Sequence, residues 1–594
     1  MADYRAPIKD MFFAIRELAD LEALSNLPDF EEVTPDLIEA ILEEAGHLAS
    51  EIYAPTNVIG DIEGSKFVDG EVKVPTVFKS AYQAFVEGGW PGIAHNPEYG
   101  GQGLPFLLSN CVDEMMQSAN LSLSLCAMLT HDAIYTIEIY GDESIRSTYL
   151  EKMISGSWTG TMNLTEPQAG SDLSLLRTQA IPDGEAYKIS GQKIFITWGD
   201  HDMAENVIHL VLARIPNAPS GTKGISLFLV PKFIPNPDGT IGRSNGVETA
   251  SIEHKLGIHG SPTCVLDFSD AQGYLIGEPN KGLACMFTMM NRARLGVGLE
   301  GVAVSERSYQ QALVFAKERI QGHLPGKSGN VAIIEHPDVR RMLLTMKVEI
   351  EAMRASAYVT ASHVDKADHL NDQKEQHYHQ SRVDLLIPII KGWLTERSKE
   401  LTGLGIQIHG GMGYIEETGA AQYLRDAMIL SIYEGTTGIQ AGDLVNRKIL
   451  RDHGSALNEF FLDIQQTLDE LSNLNDYPSI ICERLSQGLD QSKKAAEWLK
   501  IHASKDVYSS GAVSYHFLMM LGTLMGGWQM ALAASAAQKK LDQDKADKEW
   551  LKAKILSARF YAEQCMPRIT TYTESIFSGS DTIMAYTLDQ FESD

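Results

Sequence analysis

From Trp158 to about Gly277 the chain gives up helical spacing, and at Lys281 it takes that spacing up again. Between those points it runs in short segments rich in β-branched residues: 187–189, 193–197, 207–213, 224–230 and 264–268. Such side chains crowd a helix and fit a pleated sheet. Pro182-Asp183-Gly184-Glu185 supplies a turn between two of the runs. The chain must therefore place a β domain inside a helical framework. At 594 residues it is also too long for one core. The fold class predicted is α+β, mainly α. It comprises an N-terminal helical domain, a middle β domain, a C-terminal four-helix-bundle-like domain and an extra C-terminal helical domain. The boundaries expected are 1–30 for an N-terminal arm, then 31–157, 158–280, 281–450 and 451–594.

In the helical parts, Met11, Phe12, Ile15, Leu18 and Leu21 recur at helical spacing and predict a short amphipathic arm. Thr34-Pro35 predicts a helix start, with Thr34 as N-cap and Pro35 in the first turn. The helical pattern up to about Gly156 breaks at Trp90-Pro91-Gly92 and at the glycine-dense loop 97–103. That loop is either a phosphate cradle or a plain turn. The stretch 322–328 looks like a P-loop, but it is one residue short between its glycines and follows a helix, so it is rejected. His363, His369, His377 and His379 lie in a polar stretch and predict a solvated helix face, with no metal site. Residues 507–538 contain no Asp, Glu, Lys or Arg and are long enough to span a bilayer. They also carry Ser514, His516, Thr523, Gln529 and four glycines, so they read as a helix buried among helices, with no membrane span.

The net charge of −28, with no basic run, argues against nucleic acid as a partner. Six scattered cysteines form no Cys-x-x-Cys pair, which predicts neither a zinc site nor a disulfide framework. A cytoplasmic, reducing setting is expected. Residues 1–21 mix charges with apolar residues and lack the core of a signal peptide.

One stretch concentrates chemistry: Ser431-Ile432-Tyr433-Glu434-Gly435-Thr436-Thr437-Gly438-Ile439-Gln440. It holds one carboxylate, Glu434, after an apolar run. Lost hydration would raise its pKa toward the range of a useful base. Gly435 admits a close approach of backbone to a bound molecule. The same residues also fit a helix end followed by a turn.

Four motifs, in order, resemble signatures of the acyl-CoA dehydrogenase family. They are Leu164-Thr165-Glu166-Pro167-Gln168-Ala169-Gly170-Ser171-Asp172, Lys193-Ile194-Phe195-Ile196-Thr197, Gln407-Ile408-His409-Gly410-Gly411-Met412-Gly413-Tyr414, and Tyr433-Glu434-Gly435-Thr436. The resemblance covers about residues 27–450. It implies bound FAD, in keeping with the lack of a dinucleotide fingerprint, and α,β-dehydrogenation of an acyl-CoA thioester to the trans-2-enoyl-CoA.

By that resemblance Glu434 is the base for the α-proton, and the β-hydrogen leaves as hydride to the flavin. Met162, Leu164, Thr165, Gly170 and Ser171 line the flavin site, and Ser171 also opens the pantetheine channel. Phe195, where relatives often carry tryptophan, and Thr197 cover the flavin face opposite the substrate. Arg319, Gln407, Gly410 and Gly411 serve the FAD of a neighbouring subunit, and Thr436 meets the adenosine half of FAD. Asn291, Arg294, Tyr433 and Gly435 attend the substrate. Some relatives place the base where Ala293 stands here, and alanine cannot serve.

The C-terminal extension is similar to that of a subgroup containing 3-methylmercaptopropionyl-CoA dehydrogenases and broad-range fatty acyl-CoA relatives. That likeness implies fatty acid metabolism or dimethylsulfoniopropionate degradation. It also implies a homodimer and an electron-transfer flavoprotein as acceptor. An oxygen-using acyl-CoA oxidase and a DNA-associated flavoprotein are the alternatives.

Overall fold

The computed structural model describes residues 4–472, 477–543 and 547–592. The chain divides into two compact units, one built mainly from Ala40–Gly296 and the other from Pro7–Glu39 with Val297–Asp594.

The first unit begins with helices and holds the β domain. Its strands are β1 (Lys66–Val68), β2 (Glu71–Lys73), β3 (Trp158–Asn163), β4 (Gln179–Asp183), β5 (Ala186–Thr197), β6 (Asn206–Ala213), β7 (Ser226–Pro231), β8 (Phe233–Pro235), β9 (Ile241–Ser244), β10 (Val247–Ile252) and β11 (Thr263–Ile276). Seven of them form one sheet in the order β3-β6-β7-β11-β5-β4, with β10 also on β11. Only the β3–β6 pair is parallel. β6 and β7 are buried along their whole length, as their continuous apolar runs require of strands covered on both faces. The expected turn at 182–185 joins β4 to β5, with Asp183 opposite Ala186. Two apolar clusters flank the sheet. One gathers Trp158, Leu210 and Leu229 with Ile134, Met153 and Met286 from helices; the other gathers Ile189, Phe228, Leu266 and Phe268.

The second unit is helical among its described residues. Its long elements are Pro337–His369, Gln373–His409, Ser479–Ala503 and Ser509–Asp542, with the C-terminal part of Gly282–Glu318. The arm forms the helix Ile8–Glu17, whose Met11, Phe13 and Ile15 are buried. Thr34 accepts from Leu37 N at 3.2 Å and starts the helix Pro35–His47, as predicted. Asp10 ties the arm down: it accepts from Arg354 Nη1 at 2.8 Å and pairs with Lys554. Burial opposes its charge, but Lys554 and Arg354 hold its carboxyl well below the ordinary range.

The apolar stretch 507–538 falls in Ser509–Asp542. That helix is long and apolar enough to cross a membrane, yet 89% of its most apolar window is buried inside the protein. A Cβ on Gly522 would meet Trp393 at 2.2 Å, so the glycine sets the close packing against Gln373–His409.

The histidine stretch differs from expectation. Only His377 is exposed. His363 Nδ1 lies 2.7 Å from His379 Nδ1, and His369 packs on Phe30 and contacts Asp29. The arm covers His369, and His363 and His379 pack against each other across two helices, so the stretch is solvated only in part. No group of metal-ligating side chains occurs among the described residues.

Candidate active site

The helix Ala420–Leu430 ends at Ser431, and the chain turns sharply through Tyr433 and Glu434 into the helix Thr437–Asp443. Glu434 has φ +55° and Gly435 φ +90°. A left-handed glutamate costs energy and persists only where its surroundings fix it. Here the fixing groups are visible. Lys391 Nζ, fully buried, donates to the Gly435 carbonyl at 2.7 Å. Gln440 Nε2 donates to the Glu434 carbonyl at 3.0 Å. Thr437 closes the turn, its N–H donating to Ser431 O at 3.1 Å and its hydroxyl to Glu396 at 2.6 Å. Glu434 itself is half-buried. Thr436 caps the following helix by accepting from Ile439 N at 3.3 Å.

Tyr433 donates its hydroxyl to Glu300, a fully buried carboxyl on Gly282–Glu318. Burial pushes Glu300 up to about 8, against the Tyr433 hydrogen bond and Lys391 and with help from Glu434. Burial likewise drives the Tyr433 phenol well above its ordinary range. Neither Glu300 nor Lys391 stood out in the sequence. Their partners lie 133 and 44 residues away, beyond any local pattern.

Elsewhere in this unit, the rings of Phe315 and His409 pack at a tilt with centroids 4.5 Å apart. They draw together the ends of the two helices that carry Arg319 and Gln407. Arg319, Gln407, Gly410 and Gly411 are all exposed. Among the described residues the Arg319 side chain makes no ion pair or hydrogen bond, and a Cβ on Gly410 or Gly411 would meet nothing within 4 Å.

In the β-containing unit, the segment after β3 is bound to β5. Lys193 Nζ lies 2.8 Å from Glu166 Oε1, and both side chains are sealed from solvent. Lys193 also donates to Leu164 O at 3.0 Å, and Ile194 N to Thr165 O at 2.9 Å. Glu166 accepts further from Arg177 N, Thr178 N and the Thr178 hydroxyl. Burial alone would raise Glu166, but Lys193 and these donors hold it at about 2. Burial draws Lys193 down to about 8 in spite of Glu166, which leaves the pair ionised at neutral pH.

The same strand pairing shows a bulge. Cys264 faces Ile196 and Leu266 faces Lys193, so two residues of β5 oppose one of β11. Phe195 sits in this bulge with φ +60° and is 59% exposed. An aromatic ring held outward on a rigid strand presents a face for stacking. Met162, Leu164, Thr165 and Thr197 are half-buried, and Gly170 and Ser171 are exposed, with nothing within 4 Å of a Cβ built on Gly170. An outward aromatic ring and an exposed glycine backbone are each open to a large planar cofactor such as FAD. Asn291 is half-buried and Arg294 and Ala293 are buried. The neighbouring Arg292, not singled out in the sequence, lies over the rings of Tyr135 at 3.3 Å and Phe106 at 4.3 Å.

Four family models match the chain in order. They are the acyl-CoA dehydrogenase N-terminal domain over residues 65–157, the middle domain over 161–271, the C-terminal domain over 280–449, and an acetyl-CoA dehydrogenase C-terminal-like domain over 460–587. The chain is 44% identical to a 3-methylmercaptopropionyl-CoA dehydrogenase of Ruegeria pomeroyi, over 98% of this chain and 100% of that protein. It is 35% identical to a butyryl-CoA dehydrogenase of Syntrophomonas wolfei, over 96% of each. A solved acyl-CoA dehydrogenase of Bacillus anthracis complexed with FAD shares the fold, with a TM-score of 0.75 at 20% identity over 94% of this chain and 90% of that one.

Proposed function

The chain belongs to the acyl-CoA dehydrogenase family, and on that premise we propose that Glu434 is the base that takes the α-proton of its acyl-CoA substrate. The protein is an FAD-dependent oxidoreductase acting on acyl-CoA. When bound, FAD supplies the acceptor for the β-hydrogen.

The observation that carries the reading is the strained, anchored turn at Glu434. An α C–H beside a thioester is a weak acid, so its removal needs a base in fixed register and stabilisation of the charge that develops. Lys391, Gln440 and Thr437 hold the backbone of the turn, and the Glu434 carboxyl is the group assigned to the α-proton. The Glu434 N–H is the donor assigned to the thioester oxygen. A preorganised donor of that kind contributes on the order of 3–4 kcal/mol. Tyr433 and Gly435 flank the acyl group; Ser171, Asn291 and Arg294 are assigned to the CoA chain.

For the cofactor, Phe195 and Thr197 would cover one flavin face, and Met162, Leu164, Thr165, Gly170 and Ser171 would line its edge. Arg319, Gln407, Gly410 and Gly411 would hold the FAD of a second subunit. Their exposure supports this, and so supports a homodimer. Thr436, engaged in capping, would reach the adenosine half through its remaining hydroxyl capacity.

The division at 30, 157, 280 and 450 is retained; the family matches support it. An electron-transfer flavoprotein is proposed as acceptor. Six free cysteines support a reducing cytoplasm. The Ruegeria relative points to 3-methylthiopropanoyl-CoA, and the Syntrophomonas relative to butyryl-CoA. Anaerobic titration of the yellow protein with 3-methylthiopropanoyl-, butyryl-, octanoyl- and palmitoyl-CoA, followed by flavin bleaching, tests the reading. Stoichiometric bleaching by at least one is expected. Bleaching by none would remove it.

A further inference from the structure

Behind the Glu434 turn lies a second carboxyl. Glu300 is fully buried, its Oε2 accepts from the Tyr433 hydroxyl, and its Oε1 has no hydrogen-bond partner among the described residues. Tyr433 directly precedes Glu434. The charged and titratable groups facing Glu300 are Tyr433 and Glu434 on the turn and Lys391 on Gln373–His409. Lys391 donates to the Gly435 carbonyl and favours the charged form of Glu300 less than burial opposes it. A buried carboxylate with an unpartnered oxygen is costly, whereas the neutral acid is tolerated. Burial is the largest influence on Glu300 and pushes it up to about 8.

We propose that Glu300 is a positioning residue that stays neutral while Glu434 is ionised, so that two adjoining carboxyls carry a single negative charge and Tyr433 is held beside the base. The proposal rests on Glu434 acting as the base. Ionised, Glu300 would add a second negative charge next to Glu434. That charge would oppose the one building on the thioester oxygen as the proton leaves. The neutral acid avoids this and still accepts the Tyr433 hydrogen bond.

The holoenzyme, E300Q, Y433F and E434Q are mixed anaerobically with butyryl-CoA across about pH 6 to 10, and the rate of flavin bleaching is followed. The wild-type rate should fall on the alkaline side with an apparent pKa near 8, where Glu300 ionises. E300Q should lack that fall. Y433F should shift it upward, since the hydrogen bond that favours the Glu300 carboxylate is gone. A readout independent of turnover is the infrared stretch of a protonated carboxyl in the substrate-free protein. Asp113, pushed up to about 7 by burial, adds a band of its own, so the Glu300 component is the part that vanishes through about pH 8 and is missing from E300Q.

An E300Q profile superposed on that of the wild type, with a protonated-carboxyl band no smaller than the wild type's, overturns the proposal. If E300Q does not fold, an alkaline fall that stays put in Y433F overturns it equally. The two readings separate cleanly. Near-normal bleaching in E434Q removes the base assignment itself. Loss of bleaching in E434Q with an unaltered E300Q profile removes only the role of Glu300.

Discussion

Lys391 Nζ donates to the carbonyl of Gly435 across 2.7 Å, and the amine has no exposure to solvent. A buried cation that donates to this backbone oxygen fixes where the preceding residue, Glu434, can point. Replacing Lys391 by methionine keeps most of the side-chain volume and removes the anchor. Misplacement of a reacting group by about 1 Å costs on the order of 100-fold. K391M should therefore retain FAD and fold but bleach with butyryl-CoA about 100-fold more slowly. A rate within about twofold of wild type, with equal flavin content, contradicts the anchoring role.

Lys193 and Glu166 form the equivalent brace in the β-containing unit. Removing one partner of a buried ion pair costs about 3–5 kcal/mol, because the other charge is left stranded. K193M should lower the denaturation midpoint by that equivalent and loosen FAD, read by flavin release. The pH dependence follows from Glu166, held at about 2 against 4.5 for a free glutamate. As pH falls, the unfolded chain takes up this proton first. The stabilisation is full above about 4.5 and lost as pH falls through about 2. E166Q should flatten that part of the acid limb in urea titrations at stepped pH.

Phe195 packs little: it is 59% exposed in its bulge. F195A should change stability by no more than about 0.5 kcal/mol. If the ring stacks on flavin, the lost contact of about 1 kcal/mol weakens FAD binding roughly fivefold to tenfold. F195W should restore it. Calorimetric titration of the flavin-stripped protein with FAD reads both.

Arg319 is exposed at the end of Gly282–Glu318. R319Q should leave the folded chain intact while weakening FAD and shifting sedimentation toward monomer. Unchanged FAD affinity in R319Q contradicts the assignment across subunits.

Much of this architecture was legible because it follows from local rules. The switch to β-branched runs located the strands, Thr34 and Pro35 started their helix, and Pro182 to Glu185 made their turn. One local signal was overlooked. Asp69-Gly70, both at positive φ, joins β1 to β2 as an Asp-Gly hairpin within the region read as helical. The candidate site was legible only in its motif residues. The side chains that fix it, Lys391 and Glu300, come from other helices, and nothing near them in sequence announces a buried charge. The histidine stretch differs for a like reason: the arm residue that covers His369 lies over 330 residues away, at Asp29. Polarity along a helix does not show what will dock on it.

The most direct measurement is anaerobic flavin bleaching by E434Q with butyryl-CoA. The amide keeps the size of the side chain and the left-handed turn but cannot accept the α-proton. The account predicts a folded, yellow protein with normal FAD content whose bleaching is slowed by at least about 1,000-fold, since the base is lost outright. Bleaching near the wild-type rate would show that another group takes the proton, and the mechanism set out for Glu434 would be wrong.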